Sequence, residues 1–445
     1  MKHDITRRDA LGLGLSAAAL AATGASAQTA SAINAVDVPA PSLPIEKSAS
    51  LRMLRPVRFV KADEDVFRAN AAKFTEKMGI EVKVDFVGWE DINQQTAVTS
   101  NSGAGPDIII GFSDAPHIYA DKLIELTDVA DYLGKRYGGW MFLAEKYGKR
   151  HKSNAWIGLP FGAASGPLVY RKSIVQAAGF DKVPDDHAGL LDLYRKLQKA
   201  GKPAGFALGN AVGDGNGFAN WLLWSHNAAL LDEEGNVIIN SKETVAALKY
   251  LKELYPTFIA GTPSWNDVSN NRAYSSQEIS LTANGVSLYF SLKNDPATAA
   301  IAEDTEHQFV PKGLAKSSPM GGLTLNAMVF KHSPYPNAAK AFLQFMMERE
   351  QYEPWLNANS GYWAQPLAAY ADSAVWSGDP KVRIFKDTMS NTYWNGYKGP
   401  ISTASGAVNA DYVLVQMCAS VATDAATPEA AAAEAERRAK RYFRR

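Results

Sequence analysis

Cysteine, surplus charge of either sign and catalytic motifs are scarce in this chain of 445 residues. Cys418 is the single cysteine, which excludes an intramolecular disulfide, and its apolar neighbours predict a small core residue. The 46 basic residues balance the 46 acidic residues, and this balance excludes the basic surplus that is typical of nucleic-acid-binding proteins. A large hydrophobic core must therefore stabilise the fold.

Signatures of the common enzyme classes are also missing from the sequence. It contains no nucleophile elbow, zinc-protease motif, P-loop or dinucleotide fingerprint, and its seven histidines have no metal-ligand spacing. A glycoside-active enzyme would need two carboxylates across one cleft, and Glu90 with Asp114 is the pair that could be considered. We expect a protein without catalytic activity, metal or cofactor, and a glycoside-active enzyme remains the less favoured alternative.

The N-terminus has the three parts of a cleaved secretory signal. Arg7 and Arg8 precede an uncharged apolar run that ends near Ala22, and Ala25-Ser-Ala27 supplies a cleavage site. The paired arginines predict twin-arginine export, and the short, glycine-rich run is not expected to span a membrane. No cysteine stands at the cleavage site to carry a lipid anchor, so we expect a freely diffusing periplasmic protein. The predicted segments are a signal peptide at 1–27 and a flexible spacer, rich in Ala, Ser and Pro, at 28–50.

Strand and helix patterns alternate from Leu51 onward. Hydrophobic periodicity and breaker residues define each element. The predicted strands are 57–60, 80–87, 107–110, 206–208 and 279–283, and the predicted helices are 65–78, 180–199, 244–255 and one that begins at 427–429. Such alternation predicts an α/β fold with a mostly parallel sheet and helices on both faces.

Two segments rich in Gly, Ser and Pro adjoin short strands. They are Ser102-Gly-Ala-Gly-Pro-Asp107-Ile-Ile-Ile-Gly111 and Trp156-Ile-Gly-Leu-Pro160-Phe-Gly-Ala-Ala-Ser-Gly166-Pro-Leu-Val-Tyr170. Exposed backbone amides beside strand ends are where open α/β sheets bind ligands. These segments therefore predict a binding site rather than a purely structural turn.

The same two segments resemble signatures of the extracellular solute-binding proteins of family 1, in the carbohydrate-binding, maltose-binding-protein-like branch. Further matches follow in the family's order, among them Leu281-Thr-Ala-Asn-Gly285, Val310-Pro-Lys-Gly313 and Gly361-Tyr-Trp-Ala-Gln-Pro366. The resemblance implies a two-lobed periplasmic binding protein fold of type II, with lobes joined by hinge crossings. Lobe one would hold 51–163 and 320–367, and lobe two 164–318 and 368–445.

This resemblance implies a receptor of an ABC importer. Such a receptor captures a sugar or oligosaccharide between its lobes and delivers it to an inner-membrane permease, as a monomer that binds no nucleic acid. The alternative is a non-sugar solute, such as a polyamine or an organic anion. Polyamine sites are recognised by several acidic residues, and organic-anion sites by arginines that converge on the ligand. The available arginines are Arg58, Arg171, Arg272 and Arg383.

Candidate ligand-binding residues follow from the chemistry of a sugar, which needs aromatic plates for its faces and planar polar groups for its hydroxyls. Asp114 stands where the family has a hydroxyl-binding aspartate, and it could equally cap a helix that starts at Ala115. Gly111 and Ala164 replace an aromatic and an acidic contact, so a maltose subsite is not reproduced. The predicted residues are Trp89, Asp114, Ser165, Asn216, Phe218, Trp221, Trp265, Asn284, Tyr289, Gly322, Trp363 and Trp394.

Overall fold

Two β-sheets, each flanked by helices, organise the chain in a computed structural model that describes residues 32–390 and 392–443. The predicted signal peptide, residues 1–27, lies outside the described residues. The strands are β1 Ser50–Pro56, β2 Glu81–Val87, β3 Ile108–Phe112, β4 Leu159–Ser165, β5 Leu168–Arg171, β6 Leu281–Ala283, β7 Thr305–Gln308 and β8 Gly322–Val329.

Helices connect these strands and cover the sheets. The α-helices are α1 Lys61–Met78, α2 Asp91–Ser102, α3 Ala115–Ile118, α4 Thr127–Arg136, α5 Phe142–Gly148, α6 Lys172–Ala177, α7 His187–Lys199, α8 Asp214–Trp224, α9 Lys242–Leu254, α10 Ser269–Ser275, α11 Val286–Asn294, α12 Ala299–Asp304, α13 Pro336–Met347, α14 Arg349–Ala358, α15 Thr403–Ala410, α16 Val413–Ala422 and α17 Pro428–Phe443. Short 3₁₀ helices occupy Ala120–Lys122, Tyr255–Thr257, Thr262–Ser264, Ala368–Asp372, Ala374–Trp376 and Pro380–Phe385.

The first sheet has the strand order β2-β1-β3-β8-β4. Strand β1 pairs in parallel with β2 and β3, whereas β8 is antiparallel to both β3 and β4. Four of the five strands therefore run in one direction, as a mostly parallel sheet requires, and β8 alone runs the other way. Strand β8 arrives from far along the sequence and enters between β3 and β4.

The second sheet is small and antiparallel, with the order β6-β5-β7. The chain passes from the first sheet to the second directly, because β4 ends at Ser165 and β5 begins at Leu168. Only Gly166 and Pro167 separate the two strands. The predicted boundary between lobe one and lobe two, at 163–164, falls within β4, and the lobe boundaries stay a prediction.

Several predicted elements keep their type but change their bounds. The first strand is β1, at Ser50–Pro56, rather than 57–60. Residues 206–208 form no strand, and only the nearby Ala204 makes isolated β-bridges. The helix predicted from 180 begins at His187, because Asp186 caps it by accepting the N–H of Gly189 at 2.8 Å. Helix α1 ends at Gly79 as predicted, and Cys418 is a buried core residue in α16 as predicted.

Residues 32–49, which the sequence predicts to be part of a flexible spacer, lie against the first-sheet half of the fold. The carboxylate of Glu46 accepts the N–H groups of Asn337 and Ala338 at 2.8 and 3.0 Å, at the start of α13. Val36 exchanges hydrogen bonds with Arg136, and Ile33 is buried. These are contacts that a mobile spacer would lack.

A fully buried ion pair joins β1 of the first sheet to helix α1. Arg55 donates two hydrogen bonds of 2.9 Å to Asp63, and the side chains are only 1% and 2% exposed. The indoles of Trp355 and Trp363 also donate to the Asp63 carboxylate, at 2.6 and 3.4 Å. The guanidinium of Arg55 lies 4.4 Å from the centre of the Phe67 ring. Every partner of this carboxylate is therefore internal to the fold.

We predict that Asp63→Ala lowers the free energy of unfolding by about 3–5 kcal/mol, because Arg55 would stay buried without its counter-charge. Urea unfolding followed by tryptophan fluorescence measures the change. Asp65→Ala is the matched control on the same helix, because Asp65 pairs with Lys61 on the exposed surface and should matter little. Similar losses in both variants would contradict the prediction.

Candidate functional site

A cavity of about 120 Å³ lies where the chain passes from the first sheet to the second. Strands β1, β2, β3 and β4 all end at this edge, because β1 is parallel to its neighbours and β3 and β4 are both antiparallel to β8. Gly322, the first residue of β8, also lies at this edge. The carboxyl ends of aligned strands are the common ligand site of α/β sheets.

Three aromatic rings form the wall on the first-sheet side. Phe59 follows β1, Trp89 follows β2, and Tyr362 comes from the loop after α14. The Phe59 and Trp89 rings meet edge to face at 4.7 Å, and Phe59 stacks on Tyr362 at 5.7 Å. The Trp89 indole donates to the carbonyl of Val57 at 2.9 Å, which fixes the ring against the end of β1.

Helix α8 forms the opposite wall and places Asn216, Phe218 and Trp221 on the cavity. The amide of Asn216 donates to the carbonyl of Val212 at 3.1 Å. The indole of Trp221 donates to the carbonyl of Pro311 at 2.8 Å, which ties α8 to the loop after β7. These side chains are therefore oriented before any ligand arrives.

A pair of carboxyl groups marks the beginning of α8. Asp267 accepts the N–H groups of Val212, Gly213 and Asp214 at 2.7, 2.9 and 2.8 Å. Burial raises the pKa of Asp267, and these three hydrogen bonds oppose that rise. Burial, and next the charge of Asp267, raise the pKa of Asp214 well above its usual range. Both residues line the cavity.

The turn after β6 brings the second sheet against the aromatic wall. Asn284 donates its N–H to the carbonyl of Pro167 at 3.1 Å, and its side-chain amide donates to Asn271. A Cβ at Gly285 would come within 2.7 Å of Cε2 of Tyr362. Glycine is therefore required where the two halves of the fold approach each other at the cavity.

Asp114 lies beside the cavity, in an adjoining pocket of about 50 Å³. Its carboxylate accepts a hydrogen bond of 2.5 Å from the amide of Asn395, and its other oxygen, Oδ1, is buried without a partner. Helix α3 begins at the next residue, Ala115, but the Asp114 side chain accepts no N–H of that helix. Burial raises the pKa of Asp114 to about 7, although the Asn395 hydrogen bond opposes this.

The structure brings together some of the sequence-predicted site residues and separates others. Those that line the cavity are Trp89, Ser165, Asn216, Phe218, Trp221, Asn284 and Gly322. Asp114 occupies the adjoining pocket. Those outside the cavity lining are Trp265, Tyr289, Trp363 and Trp394.

The four residues outside the lining make their contacts within the fold. Trp363 stacks behind Trp89 at 5.9 Å, and a Cβ at Gly205 would come within 2.7 Å of the Trp265 ring. The hydroxyl of Tyr289 donates to Asp379 at 2.7 Å. The indole of Trp394 donates to the carbonyl of Gly399 at 2.8 Å. The hydroxyl of Tyr289 and the indole of Trp394 therefore have their partners within the fold.

Phe59, Tyr362, Asp214 and Asp267 line the cavity although the sequence does not single them out as binding residues. Tyr362 and Asp267 lie one and two residues from predicted tryptophans. The sequence signal for these candidates was their position in a loop, and this signal applies equally to every residue of the segment. Which side chain faces the cavity depends on the local backbone conformation. Sequence reasoning could find the segment but not the residue.

Metal and membrane sites are not indicated within residues 32–390 and 392–443. No group of three or more His, Cys, Asp or Glu side chains in this part of the chain is arranged to hold a metal ion. None of its helices combines the length and the apolar character that crossing a bilayer requires. The cavity is therefore the site to compare with known proteins.

A family model described as "Bacterial extracellular solute-binding protein" matches residues 69–384. The chain belongs to this family. The match includes every strand except β1, and all of the cavity lining except Phe59, Asn395 and Asn409. The resemblance proposed from the sequence is thus confirmed.

Relatives of this solute-binding protein come from several bacteria. YcjN of Escherichia coli (strain K12), by name an ABC transporter periplasmic-binding protein, is 24% identical over 69% of this chain and 71% of its own length. Among solved structures, maltose-bound MalE3 of T. maritima has a TM-score of 0.75 at 19% identity, covering 88% of this chain and 99% of its own. The GacH receptor of Streptomyces glaucescens has a TM-score of 0.74 at 17% identity, covering 90% and 99%. These structures show that the fold is the two-lobed fold predicted from the sequence.

We predict that Asp114→Asn flattens the pH dependence of stability. In the folded protein Asp114 keeps its proton until about pH 7, whereas the unfolded chain releases it near its ordinary pKa of 3.8. Between these values the folded state binds more protons, so the free energy of unfolding falls as the pH rises.

Denaturant unfolding at pH 4 and pH 7 measures this effect. The natural protein should lose a few kcal/mol relative to the variant over this interval, at about 1.4 kcal/mol per pKa unit. Parallel curves for the two proteins would show that the Asp114 proton is not retained.

Proposed function

We propose that this solute-binding protein is the periplasmic receptor of an ABC importer and that its ligand is a sugar, an oligosaccharide or a sugar alcohol. The ligand would bind between the two lobes and then pass to an inner-membrane permease. The single observation that carries the proposal is the chemistry of the cavity. Aromatic rings form one wall, and amide side chains project from the other.

Aromatic faces and amide groups suit a polyhydroxylated ligand. Phe59 and Tyr362 are partly exposed and offer ring surface to the C–H face of a sugar. Asn216, Asn220 and Asn284 carry amides that both donate and accept, which matches the hydroxyl groups at a sugar rim. Ligands of this class occur in the structural relatives, where MalE3 carries maltose and a protein of Agrobacterium radiobacter K84 carries ribitol.

An organic anion is the less favoured ligand. Among the described residues, no lysine, arginine or histidine lines the cavity. Of the arginines considered from the sequence, Arg58 pairs with Glu64 at 2.7 Å and Arg171 pairs with Asp304 at 2.8 Å. These arginines do not converge on the cavity, and an anion would find no counter-charge there.

A glycoside-active enzyme is also disfavoured. Its two carboxylates must flank the scissile bond from opposite faces. Asp214 and Asp267 lie together at the beginning of α8, because Asp267 accepts the N–H of Asp214 itself. Glu90, the acid considered from the sequence, is exposed and does not line the cavity. Asp214 and Asp267 therefore do not flank a glycosidic bond from opposite faces, and we propose that they contact a ligand without cleaving it.

The mechanism follows from the contact between the two halves. Asn284 and Gly285 form the turn after β6 of the second sheet, and Tyr362 belongs to the first-sheet half. A ligand that touches both would favour the closed arrangement of the lobes, because its differential affinity for the two states shifts their populations. In an importer, this closed form would be the one that the permease recognises.

We predict that a neutral sugar, oligosaccharide or sugar alcohol binds saturably and stabilises the purified protein. Thermal shift identifies the binder in a panel of neutral saccharides, polyols, polyamines and dicarboxylates, and calorimetry gives its Kd. Phe59→Leu should weaken binding by about 3- to 10-fold, because stacking on an aromatic face contributes about 0.5–1.5 kcal/mol.

Phe142→Leu is the matched control, because this phenylalanine is 46% exposed and lies outside the cavity lining. It should leave Kd unchanged. Binding of a dicarboxylate without any saccharide or polyol would overturn the carbohydrate proposal and leave the receptor assignment standing.

A further inference from the structure

The charged groups of the cavity are of one sign. Asp214 and Asp267 line it, and within residues 32–390 and 392–443 no basic side chain does. The two carboxyl groups differ in their surroundings, although they are neighbours. The surroundings of these two carboxyl groups bear on the charge of the ligand, which the aromatic and amide groups do not specify.

The carboxyl group of Asp267 has all of its hydrogen-bond partners within the fold. Both of its carboxylate oxygens accept backbone hydrogen bonds, Oδ2 from Val212 and Oδ1 from Gly213 and Asp214. These donors belong to the beginning of α8, where the helix dipole also favours negative charge. The internal contacts of Asp267 are therefore complete, and these three donors favour its ionised form against the effect of burial, which raises its pKa.

Asp214 has the opposite character. The side chain is half-buried, and its Oδ2 atom is buried without a hydrogen-bond partner among residues 32–390 and 392–443. An unpaired buried polar atom destabilises a fold by about 1–3 kcal/mol, and a second buried charge beside Asp267 would add repulsion. A ligand group that brings both N–H donors and a positive charge removes both penalties, whereas a hydroxyl removes only the first.

The aromatic wall adjoins this carboxyl pair. A Cβ at Gly213 would lie 3.2 Å from Oδ1 of Asp267 and 4.0 Å from Cζ3 of Trp89, so the indole borders the acidic end of the cavity. The charges of Asp214 and Asp267 also act on the Tyr362 hydroxyl, whose pKa is raised well above its usual range, first by burial. Aromatic faces beside carboxylates attract cations and are poor surroundings for anions.

We propose that the solute is polyhydroxylated and carries a protonated amine, as an amino sugar or an amino polyol does. Its ammonium group would lie between Asp214 and the ring of Trp89, and its hydroxyl groups would meet the amides of Asn216 and Asn284. The inference rests on the proposed function and narrows its ligand class. It also reconciles the aromatic wall expected for a sugar with the acids expected for a polyamine.

Calorimetric titration with matched ligands tests the inference. Each set contains an amino sugar, its N-acetyl derivative and the parent neutral sugar, such as glucosamine, N-acetylglucosamine and glucose, with the galactose and mannose series and spermidine alongside. In the series that fits the cavity, the amine should bind at least about 30-fold more tightly than its N-acetyl derivative, as expected for a desolvated charge pair.

Two variants locate the effect. Asp214→Asn keeps the shape of the side chain and should abolish the preference for the amine. Glu90→Gln removes the same charge from an exposed residue outside the cavity lining, close enough to Asp267 to affect its pKa. This control should retain the preference. Both variants lose one negative charge and so reduce general electrostatic attraction alike, but only Asp214→Asn loses the proposed contact with the ammonium group.

The outcomes separate this inference from the function on which it rests. A neutral sugar that binds as tightly as its amino analogue overturns the amine and leaves the sugar receptor intact. Spermidine binding without binding of any sugar overturns both. A preference that survives in Asp214→Asn, or no binding of any amino sugar in the panel, overturns the inference.

Discussion

The direct passage of the chain from β4 to β5 is the constraint on which the rest of the structure depends. Ser165 ends a strand of the first sheet and Leu168 begins a strand of the second, so the two sheets cannot separate at this point. The carboxyl ends of the first-sheet strands face the same place. The passage therefore joins the two halves and also determines where a ligand can touch both.

Backbone carbonyl groups, rather than other side chains, orient much of the cavity wall. Trp89 donates to Val57, and Trp221 donates to Pro311. Because the acceptors belong to the main chain, they move only if the fold moves. A site that is oriented before binding loses less conformational entropy when the ligand arrives. These main-chain acceptors thus orient the two indoles within the fold itself.

The sequence predicted the segments of the site better than its side chains. Family resemblance and loop composition led to Asn216, Trp221 and Asn284, all of which line the cavity. Two tryptophans chosen on the same grounds, Trp265 and Trp363, pack inside the fold while near neighbours face the cavity. Adjacent residues in a loop point in different directions, and that direction depends on contacts far apart in sequence. Composition and periodicity do not record such contacts.

Long-range pairing also explains why β8 departs from the predicted parallel direction. Strand β8 inserts between β3 and β4 although more than 150 residues separate it from β4 along the chain. Local alternation of strands and helices predicts parallel neighbours, and it holds for β1 with β2 and β3. It fails where a strand returns from the second half, because the direction of a returning strand is set by the connection and not by its own residues.

Two aspartates, Asp63 and Asp214, differ in whether the fold supplies all of their hydrogen-bond partners. Asp63 has an arginine and two indoles as partners, and its contacts are complete within the protein. Asp214 lines the cavity, and its Oδ2 atom is buried without a hydrogen-bond partner among the described residues. Natural proteins tolerate an unsatisfied group chiefly where function compensates for the lost stability. The contrast in partners therefore separates Asp63, which stabilises the fold, from Asp214, which we propose as a ligand contact.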